Sequence, residues 1–370
     1  MKVCSKISSS NSVTCNGTGS AHHVQVSAGC KAAQGYAEAV KVGLAEIAKQ
    51  AQVSEATVSR VVNHRPGVAA ETRNRVLQAI SALGFEPSAT RSRLVGIVVP
   101  GLVTPVFAAM VEAIESILAS NQLQGVVCIS IPGRMNEKDV VASLADSGVS
   151  GVLFVSSGNT LARTAPEVLE PLEVRNIPFV CINGPSPGSP APMFACDDTY
   201  AAELAVRHLT SLGHLRIGIA AGPVGNWPSD RRVDGFRAAM RTRAEQGAVD
   251  FVVRQEYSVE GGQMAAERLL GQEVTAILAA SDQMALGAIR TIRRQGRRVP
   301  DDCSVIGHDD SALMEFTAPP LTTVRQPIHQ LTQSATLALI ALMRGEPIPT
   351  DQLLFQPELV IRASTAVVPA

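Results

Sequence analysis

Cysteine is scarce in this sequence, and its spacing does not fit a metal knuckle or a redox motif. The 370 residues contain seven cysteines, and no CxxC pair occurs among them. This spacing argues against a zinc ribbon or a thioredoxin-like function. Four cysteines fall in or beside apolar runs, and we expect them to be buried thiols of a reducing compartment: Cys128, Cys181, Cys196 and Cys303.

Long apolar runs are also missing. No stretch has the roughly 20 apolar residues that span a bilayer, and the N-terminal region contains no apolar segment of the kind found in secretory signals. Residues 1–40 are rich in Ser, Asn, Gly and Thr without periodic apolar positions, which predicts a disordered leader. We therefore expect a cytoplasmic protein that makes no contact with a membrane.

Catalytic and cofactor motifs are absent as well. The sequence has no nucleophile elbow, no P-loop, no HExxH and no Gly-rich dinucleotide fingerprint. The short motif HDD at 308–310 has no other metal-ligand residues beside it. We predict a protein that is not an enzyme and that needs neither a cofactor nor a metal.

What the chain does have is an uneven distribution of charge. The net charge is −1, yet residues 41–94 carry eight basic against four acidic side chains. A basic segment therefore stands on an otherwise acidic chain. The length suits two or three domains, and the 46% of hydrophobic residues can fill sizeable cores.

The basic segment has the periodicity of three short helices between about 43 and 86. In the stretch QVSEATVSRVVN, at 52–63, Ser54 is a good N-cap, and Val53 can pack on Val58 as a hydrophobic staple. Val58, Val61 and Val62 face inward, which leaves Glu55, Ala56, Ser59 and Arg60 outward. The third helix, from about Ala70, has Val76, Leu77, Ile80 and Leu83 as apolar positions and ends at Gly84. Periodicity alone leaves two interpretations: a helix-turn-helix reader of DNA, or a helical cap on a larger domain.

After this block, short apolar runs alternate with amphipathic segments. The runs are 95–100, 125–130, 151–156, 178–183, 217–222, 276–281 and 303–308, and each is typical of a strand buried on both faces. Strands and helices in alternation predict doubly wound parallel sheets, with ligands bound beyond the carboxyl ends of the strands. The number of strands favours two sheets that face each other across a cleft.

Here the residues resemble a known family. The segment LAEIAKQAQVSEATVSRVVNHRPGVAAETRNRVLQAISALGFEPS is similar to the DNA-binding head of LacI/GalR-family transcriptional regulators, and HLTSLGH, RRVDGF, SDQMALGAIRTI, VIGHDD and PPLTTVRQP continue the likeness in order. The resemblance implies an α/β protein with a three-helix helix-turn-helix head and a two-lobed domain like the type I periplasmic binding proteins, with parallel sheets. The corresponding domains are 41–87 for the head, 88–94 for a shortened hinge, and 95–370 for effector binding and dimerisation.

The resemblance also implies which residues contact DNA. Glu55 and Ala56 match the main base-reading positions, Ser59 and Arg60 lie further along the groove, and backbone or groove-edge positions are matched by Ser54, Thr57, Asn63, Thr72 and Arg73. An arginine in such a position can bind guanine through two hydrogen bonds. The alternative for Arg60 is a solvated ion pair with Glu55 or Glu71.

Some positions depart from the family pattern. Gly43 and Ala69 replace helix-capping residues, and Gln52 replaces a turn glycine, each at a cost of about 1 kcal/mol or less. The hinge is roughly two helical turns too short. Leu94 has the distance from Pro87 of the leucine that the family inserts into the minor groove, but it also abuts the strand beginning at Val95. We therefore predict DNA binding with little or no insertion of Leu94.

For the large domain the resemblance implies a small polar effector, a sugar or sugar acid, bound in the cleft. Matched or neighbouring cleft positions are Phe107, Trp227, Arg232, Tyr257, Ser281, Asp309 and Gln326. An aromatic ring can stack on a sugar, while the polar side chains can bind hydroxyl or carboxylate groups. The residues themselves leave other roles open, because Tyr257 could be an edge aromatic and Asp309 a helix cap.

Three functions compete, of which a sugar-modifying enzyme would need a catalytic constellation that the sequence lacks. The first is a ligand-responsive regulator, a repressor that binds a pseudo-palindromic operator as a homodimer or a tetramer. The second is a periplasmic-type solute-binding protein, which the large domain alone would also fit. The fused head and the lack of a signal peptide favour the first.

Overall fold

The structure is a computed structural model that describes residues 44–62, 67–83, 92–130, 136–186, 188 and 190–368. The chain divides into two compact units, Met1–Pro87 and Ser88–Ala370. The leader predicted over residues 1–40 lies outside the described residues, as do Gly43, Asn63 and Gly84.

The first unit contains three helices in its described part: α1 (Leu44–Ala51), α2 (Glu55–Val62) and α3 (Ala70–Ala82). Their shared core is formed by Ile47, Ala48, Ala51, Val58, Val61, Val76 and Ala79. The hydroxyl of Ser54 accepts a hydrogen bond from the amide of Thr57 at 3.3 Å, and Val53 packs against the same core. The predicted cap is therefore confirmed, and Val53 lies on the core as the staple requires.

Leu77 is one of the four apolar positions of α3 noted in the sequence, but it does not face the core. Its side chain is 48% exposed, whereas Val76 and Ala79 are buried and Ile80 and Leu83 pack against the core. The core-facing residues follow the spacing i, i+3, i+4 and i+7 from Val76. Leu77 lies about 100° away from that stripe, and the head has no further element to cover it in its described part.

Two of the family departures have a structural counterpart in the head. Gln52, between α1 and α2, has φ of 55°, a left-handed conformation that favours glycine. Ala69 occupies the N-cap of α3 and offers no side-chain acceptor to the helix. Both positions reduce the stability of the head.

The second unit holds two sheets. The strands are β1 (Leu94–Val99), β2 (Gln124–Ile129), β3 (Gly151–Val155), β4 (Phe179–Ile182), β5 (Met193–Cys196), β6 (Arg216–Ala221), β7 (Val249–Arg254), β8 (Ala276–Ala279), β9 (Ser304–Asp309), β10 (Thr322–Arg325), β11 (Gln352–Phe355) and β12 (Glu358–Val360). The helices are α4 (Pro105–Ser120), α5 (Glu137–Asp146), α6 (Glu170–Glu173), α7 (Asp198–Ser211), α8 (Trp227–Arg241), α9 (Val259–Leu270), α10 (Asp282–Arg294) and α11 (Ile328–Met343). This alternation follows the sequence pattern.

Each sheet has six strands and forms one lobe. The order in the first is β11-β5-β4-β3-β1-β2, and in the second β12-β10-β9-β8-β6-β7. All pairs are parallel except β10 with β12, which is antiparallel. The chain passes between the lobes after β5, after β10 and after β11, so neither lobe is continuous in sequence. The predicted pair of parallel sheets is confirmed.

All seven apolar runs form strands, but β2 is not buried on both faces as we expected. Val127 and Ile129 are each 37% exposed, and Cys128 is half-buried rather than buried. The reason is position, because β2 is the edge strand of its sheet and has a neighbouring strand on one side only. The other three expected core cysteines are buried and free.

His214, just after α7, links the second lobe to the C-terminal segment. It is fully buried, with Nε2 2.9 Å from the carbonyl oxygen of Ala366 and Nδ1 2.9 Å from the hydroxyl of Thr275. A carbonyl can only accept, so Nε2 carries the hydrogen. These contacts indicate a structural role for His214. None of the described helices is long and apolar enough to cross a membrane.

Candidate functional site

The head presents a small polar face on α2. Glu55, Ala56 and Arg60 are exposed, while Thr57 and Ser59 are half-buried. The core contacts of Val58 and Val61 fix this orientation, because they anchor the opposite side of the helix. Glu55, Ala56 and Arg60 are therefore accessible to another molecule. On α3, Thr72 and Arg73 are half-buried, and Asn63 lies outside the described residues.

Two features of this face concern its polar groups. At the start of α2 the hydroxyl groups of Ser54 and Thr57 are 2.9 Å apart, which holds both at the helix N-terminus. Among the described residues no ion pair joins Arg60 to Glu55 or Glu71. The guanidinium group of Arg60 is thus available to an external acceptor such as a base edge.

Leu94 is a member of the first sheet. It is the first residue of β1, one position earlier than expected, and its register partner on β2 is Gln124. Its carbonyl accepts from the amide of Ser150 at 2.9 Å, and its amide donates to the hydroxyl of Ser92 at 3.2 Å. The half-buried side chain packs on a core cluster of the first lobe. The role of Leu94 in DNA contact stays a prediction.

The second lobe gathers polar side chains where its strands end. Asp309 is the last residue of β9, and Gln326 follows β10, the neighbouring strand. Nε2 of Gln326 donates to Oδ1 of Asp309 at 2.6 Å, and both residues are buried. Asp309 has φ of 109°, a backbone conformation that a non-glycine residue adopts only under constraint.

The motif HDD separates into three different environments. Asp310 pairs with Arg325 and Arg362 at 2.7 Å each, and therefore has a structural role. The alternative role of Asp309 as a helix cap is wrong, because the next helical turn is Met314–Phe316 and its N-cap is Leu313. His308 is buried, and burial lowers its pKa well below the usual value. Of the three residues, Asp309, at the end of β9, remains the candidate for ligand binding.

Arg232 lies in α8 and is ion-paired. Its Nε donates to Oδ1 of Asp198 at 2.7 Å, and an Nη donates to the carbonyl of Ala280 at 2.6 Å. Both members of the pair are buried. Burial raises the pKa of the Asp198 carboxyl, while Arg232 opposes that shift. The ion pair also stabilises the charged form of the guanidinium group.

Asp309 and Asp282 are two buried carboxyl groups that interact with each other. Burial is the main reason why the pKa of Asp309 rises to about 8 and that of Asp282 to about 6, with mutual repulsion adding to the Asp309 shift. Asp282 accepts from the hydroxyl of Thr323 at 2.6 Å and from the amide of Ser311 at 2.7 Å. These bonds favour the ionised form of Asp282, so Asp309 is the carboxyl that holds a proton near neutral pH.

The other predicted cleft residues take varied positions. Ser281 caps α10 by accepting from the amide of Met284 at 3.2 Å, which is a structural role. Tyr257 follows β7 and packs directly on Gly222, where a Cβ atom would lie 2.3 Å from the ring. Its hydroxyl is 3.4 Å from Oδ1 of Asn226. Phe107, in the first turn of α4, packs against the core of the first lobe.

The loop before α8 connects the two lobes. Nδ2 of Asn226 donates to the hydroxyl of Thr160 at 3.2 Å, and the amide of Ala162 donates to the carbonyl of Gly225 at 2.8 Å. Trp227 packs on a core cluster of the first lobe and has Arg231 5.6 Å above its ring. A movement of one lobe relative to the other would therefore change the surroundings of Trp227.

Some residues of the site were missed by sequence reasoning. Asn183 and Ser156, at the ends of β4 and β3, both have positive φ, and Nδ2 of Asn183 donates to the Ser156 hydroxyl at 3.0 Å. Oδ1 of Asn183 is buried without a partner among the described residues. Asn183 ends an apolar run and could have been found by that signal, whereas Asp198 follows β5, a strand that no long run announces.

The structure therefore brings Arg232, Asp309 and Tyr257 into one electrostatic environment and bonds Gln326 directly to Asp309. Among the described residues no hydrogen bond or ion pair joins Phe107 or Trp227 to this group, and both pack on core clusters of the first lobe.

Comparisons with known proteins cover both units. Residues 43–88 match the model of bacterial regulatory proteins of the lacI family, and residues 206–365 match a periplasmic binding protein-like domain. The transcriptional regulator MalR of Streptomyces coelicolor is 44% identical over 334 residues, covering 88% of this chain and 97% of that protein. A complex of the transcriptional regulator CelR with cellobiose has a TM-score of 0.67 at 30% identity, covering 87% of this chain and 99% of the other. The lac repressor dimer bound to operator and the anti-inducer ONPF has a TM-score of 0.65 at 29% identity, with coverages of 88% and 99%.

Proposed function

This chain belongs to the lacI family of bacterial regulatory proteins and is a ligand-responsive, DNA-binding transcriptional regulator, and we propose that it represses genes for the utilisation of a sugar or sugar acid. Its effector binds in the cleft of the second unit, at the strand ends of the second lobe. The sugar ligands of similar structures, cellobiose and ribose, support this ligand class.

The observation that carries the proposal is the bonded pair of Asp309 and Gln326. Both side chains are buried, and Oε1 of Gln326 has no partner among the described residues. A buried unpaired acceptor costs about 1–3 kcal/mol. A ligand hydroxyl that donates to this oxygen would remove that cost. The neighbouring Arg232 can in turn donate to a ligand oxygen through its remaining N–H groups.

For DNA binding we propose a homodimer on a pseudo-palindromic operator in the cytoplasm. The lac repressor is a dimer when bound to its operator, which supports the same assembly here. One α2 face reads each half-site, with Glu55, Ala56 and Arg60 toward the base edges. Two heads on one dimer make the affinity depend on the spacing of the half-sites.

The connection between effector and DNA runs through the two lobes. The chain crosses between them at three places, and the loop of Asn226 and Trp227 contacts both. A ligand held by Asp309 and Gln326 on one side and by Asn183 on the other favours one arrangement of the lobes. Differential affinity for two arrangements is what allows a ligand to shift DNA binding.

A thermal-shift screen of the full chain against sugars, sugar acids and nucleosides tests the ligand class. Asp309→Ala should abolish the stabilisation by the effector and leave binding to operator DNA intact. Asp234→Ala, at an exposed position of α8, is the control and should respond to the effector as the parent does. If the effector still stabilises Asp309→Ala fully, the cleft assignment is wrong.

A further inference from the structure

The strand ends of the second lobe contain more acid than base. Asp198, Asp282 and Asp309 are buried there, with exposures of 2, 2 and 7%, and Asp197 adds a half-buried carboxyl. Arg232 and Arg231 act on these carboxyl groups, whereas Asp310, which acts on Asp282, is itself paired with Arg325 and Arg362. Apart from the paired Asp310, four carboxyl groups thus face Arg231 and Arg232, and three of the four are charged near neutral pH, because Asp309 holds a proton there.

The two cations are already engaged. Arg232 donates to Asp198 at 2.7 Å and to the carbonyl of Ala280 at 2.6 Å. Arg231 lies 5.6 Å from the ring centre of Trp227, where the ring face attracts its charge. A third arginine of the region, Arg254, pairs with Asp230 at 2.8 Å. Of these three arginines, Arg231 alone has no carboxylate partner among the described residues, and its charge lies over the ring of Trp227.

The cluster is not arranged as a metal site. Among the described residues no group of three or more His, Cys, Asp or Glu side chains could hold a metal ion. The charged carboxylates of this cluster therefore act on any ligand that enters the cleft.

We propose that Asp198 determines the charge selectivity of the cleft: by neutralising Arg232 it makes the site accept neutral polyhydroxyl ligands and reject ligands that carry a carboxylate. The inference rests on the proposed function, because it concerns the effector that the cleft binds. It narrows the ligand class from sugars and sugar acids to uncharged sugars.

The hydrogen-bonding groups match a neutral sugar. Oδ2 of Asp198, Oε1 of Gln326 and Oδ1 of Asn183 are buried acceptors without partners among the described residues. Sugar hydroxyls can donate to such atoms and accept from the unused N–H groups of Arg232. A carboxylate can only accept, so in place of a hydroxymethyl group it removes one donor and adds a negative charge beside these oxygens. Like-charge contacts in a desolvated site cost several kcal/mol.

Protonation does not reverse the preference. A proton on Asp309 removes one negative charge, and a second on Asp282 removes another, which leaves Asp197 and Asp198 against Arg231 and Arg232, a set with no net charge. The guanidinium group of Arg231 lies over Trp227, the residue that packs on the other lobe. The site near Asp309 gains no cation.

The experiment compares matched ligands that differ in one group. Glucose and glucuronate, galactose and galacturonate, and cellobiose and cellobiouronate are titrated into the full chain. Binding is read from the thermal shift and from the fluorescence of Trp227, which is the single tryptophan of the sequence. The sugar acid of each binding pair should bind at least about tenfold more weakly than its neutral partner, since tenfold corresponds to only 1.4 kcal/mol.

Asp198→Asn tests the assigned residue. The amide keeps an acceptor for Nε of Arg232 but removes the charge, so the sugar acid should gain at least about tenfold in affinity while the neutral sugar changes much less. Asp250→Asn, at an exposed ion pair on β7, is the control and should leave the ratio of the two affinities unchanged. A merely structural role of Asp198 would weaken both ligands together.

The outcomes separate the two claims. A wild-type protein that binds a sugar acid as tightly as its neutral partner overturns the charge selectivity and leaves the sugar-binding function in place. A panel in which no neutral or acidic sugar binds overturns the proposed ligand class, and with it the selectivity that rests on it. Should Asp198→Asn not fold, the wild-type comparison still decides the question.

Discussion

Leu94 lies opposite Gln124 as the first register pair of the parallel ladder that joins β1 to β2 and ends at Val99 and Ile129. The backbone on both sides of Leu94 is bonded to this sheet, through the carbonyl of Arg93 to the amide of Gln124 at 2.7 Å and through the carbonyl of Leu94 to the amide of Ser150 at 2.9 Å. Moving Leu94 into a DNA groove would break these bonds and expose a packed side chain. Eight residues, 84–91, separate Leu83 of the head from Ser92.

The first prediction concerns Leu94→Ala. Because the side chain packs on the first lobe, the substitution should lower the melting temperature of the large unit, while operator affinity and DNA bending change little. Affinity of the parent should fall steeply with salt, since phosphate contacts supply more of it when no side chain is inserted. Fluorescence anisotropy and gel-based bending assays, on a DNA site selected from random sequence, measure both effects.

Leu313→Ala is the control for Leu94→Ala, because Leu313 is 70% exposed and should affect neither stability nor DNA binding. Circular dichroism must show that each variant is folded. A large loss of operator affinity together with loss of bending in Leu94→Ala would sink the idea that this regulator binds without insertion. The strand β1 would then have to open at its first residue when DNA binds.

Arg60→Ala should weaken binding to the selected site by roughly 1–3 kcal/mol and hardly change affinity for random DNA. Arg60 is exposed on α2 without an ion pair to Glu55 or Glu71 among the described residues. Its guanidinium group can therefore contact a base without first breaking an ion pair. A base contact discriminates between sequences, whereas a phosphate contact does not. Arg75→Ala, an exposed arginine of α3, serves as the control. Equal losses on both DNAs for Arg60→Ala would make it a backbone contact.

Gln52→Gly should stabilise the head. The residue adopts φ of 55°, and relief of this left-handed conformation contributes about 1 kcal/mol when glycine replaces a side chain. The same change two residues earlier, Gln50→Gly, lies inside α1 and should instead destabilise by about 1 kcal/mol. Urea denaturation followed by far-UV circular dichroism compares the two variants. Destabilisation by both changes would show that the turn does not strain Gln52.

The sequence anticipated the fold where local and global signals agree. Apolar runs such as 95–100 are buried on both faces and read directly as strands, and the helical periods of the head placed Val58 and Val76 in its core. Strands β5, β7, β10, β11 and β12 were not predicted, because they are short or lie near sheet edges where the apolar signal is weak. Their existence depends on partners far away in sequence.

The sequence predicted those residues of the candidate site that lie at the ends of strands. Asp309 and Gln326 were identified and are bonded to each other. Asp198 could not be found in the same way, because its importance arises from a hydrogen bond to Arg232, 34 positions later in the chain. Nor could the sequence show that Asp198 neutralises an arginine that would otherwise be suited to bind a sugar acid. Pairing across elements is a tertiary property, and composition does not report it.

The last prediction is a dependence of stability on pH that comes from Asp309. Its pKa rises from the usual 3.8 to about 8, chiefly through burial and then through repulsion by Asp282. The folded protein therefore binds more protons than the unfolded chain between these two values. Stability must fall as the pH rises through this window, by at most about 1.4 kcal/mol per pH unit for a single proton. Asp282, with a pKa of about 6, adds to the fall only at the lower end of the range.

Asp309→Asn isolates this contribution between pH 6 and 8. Asparagine resembles the protonated acid and does not titrate, so the melting temperature of the variant should decline less over this interval than that of the parent. Asp301→Asn, on an exposed ion pair with Arg298, is the control and should follow the parent curve. Calorimetric scans at several pH values on the full chain provide the comparison. Parallel curves for parent and Asp309→Asn would mean that Asp309 is already ionised at pH 6, and that Arg232 rather than burial decides its protonation.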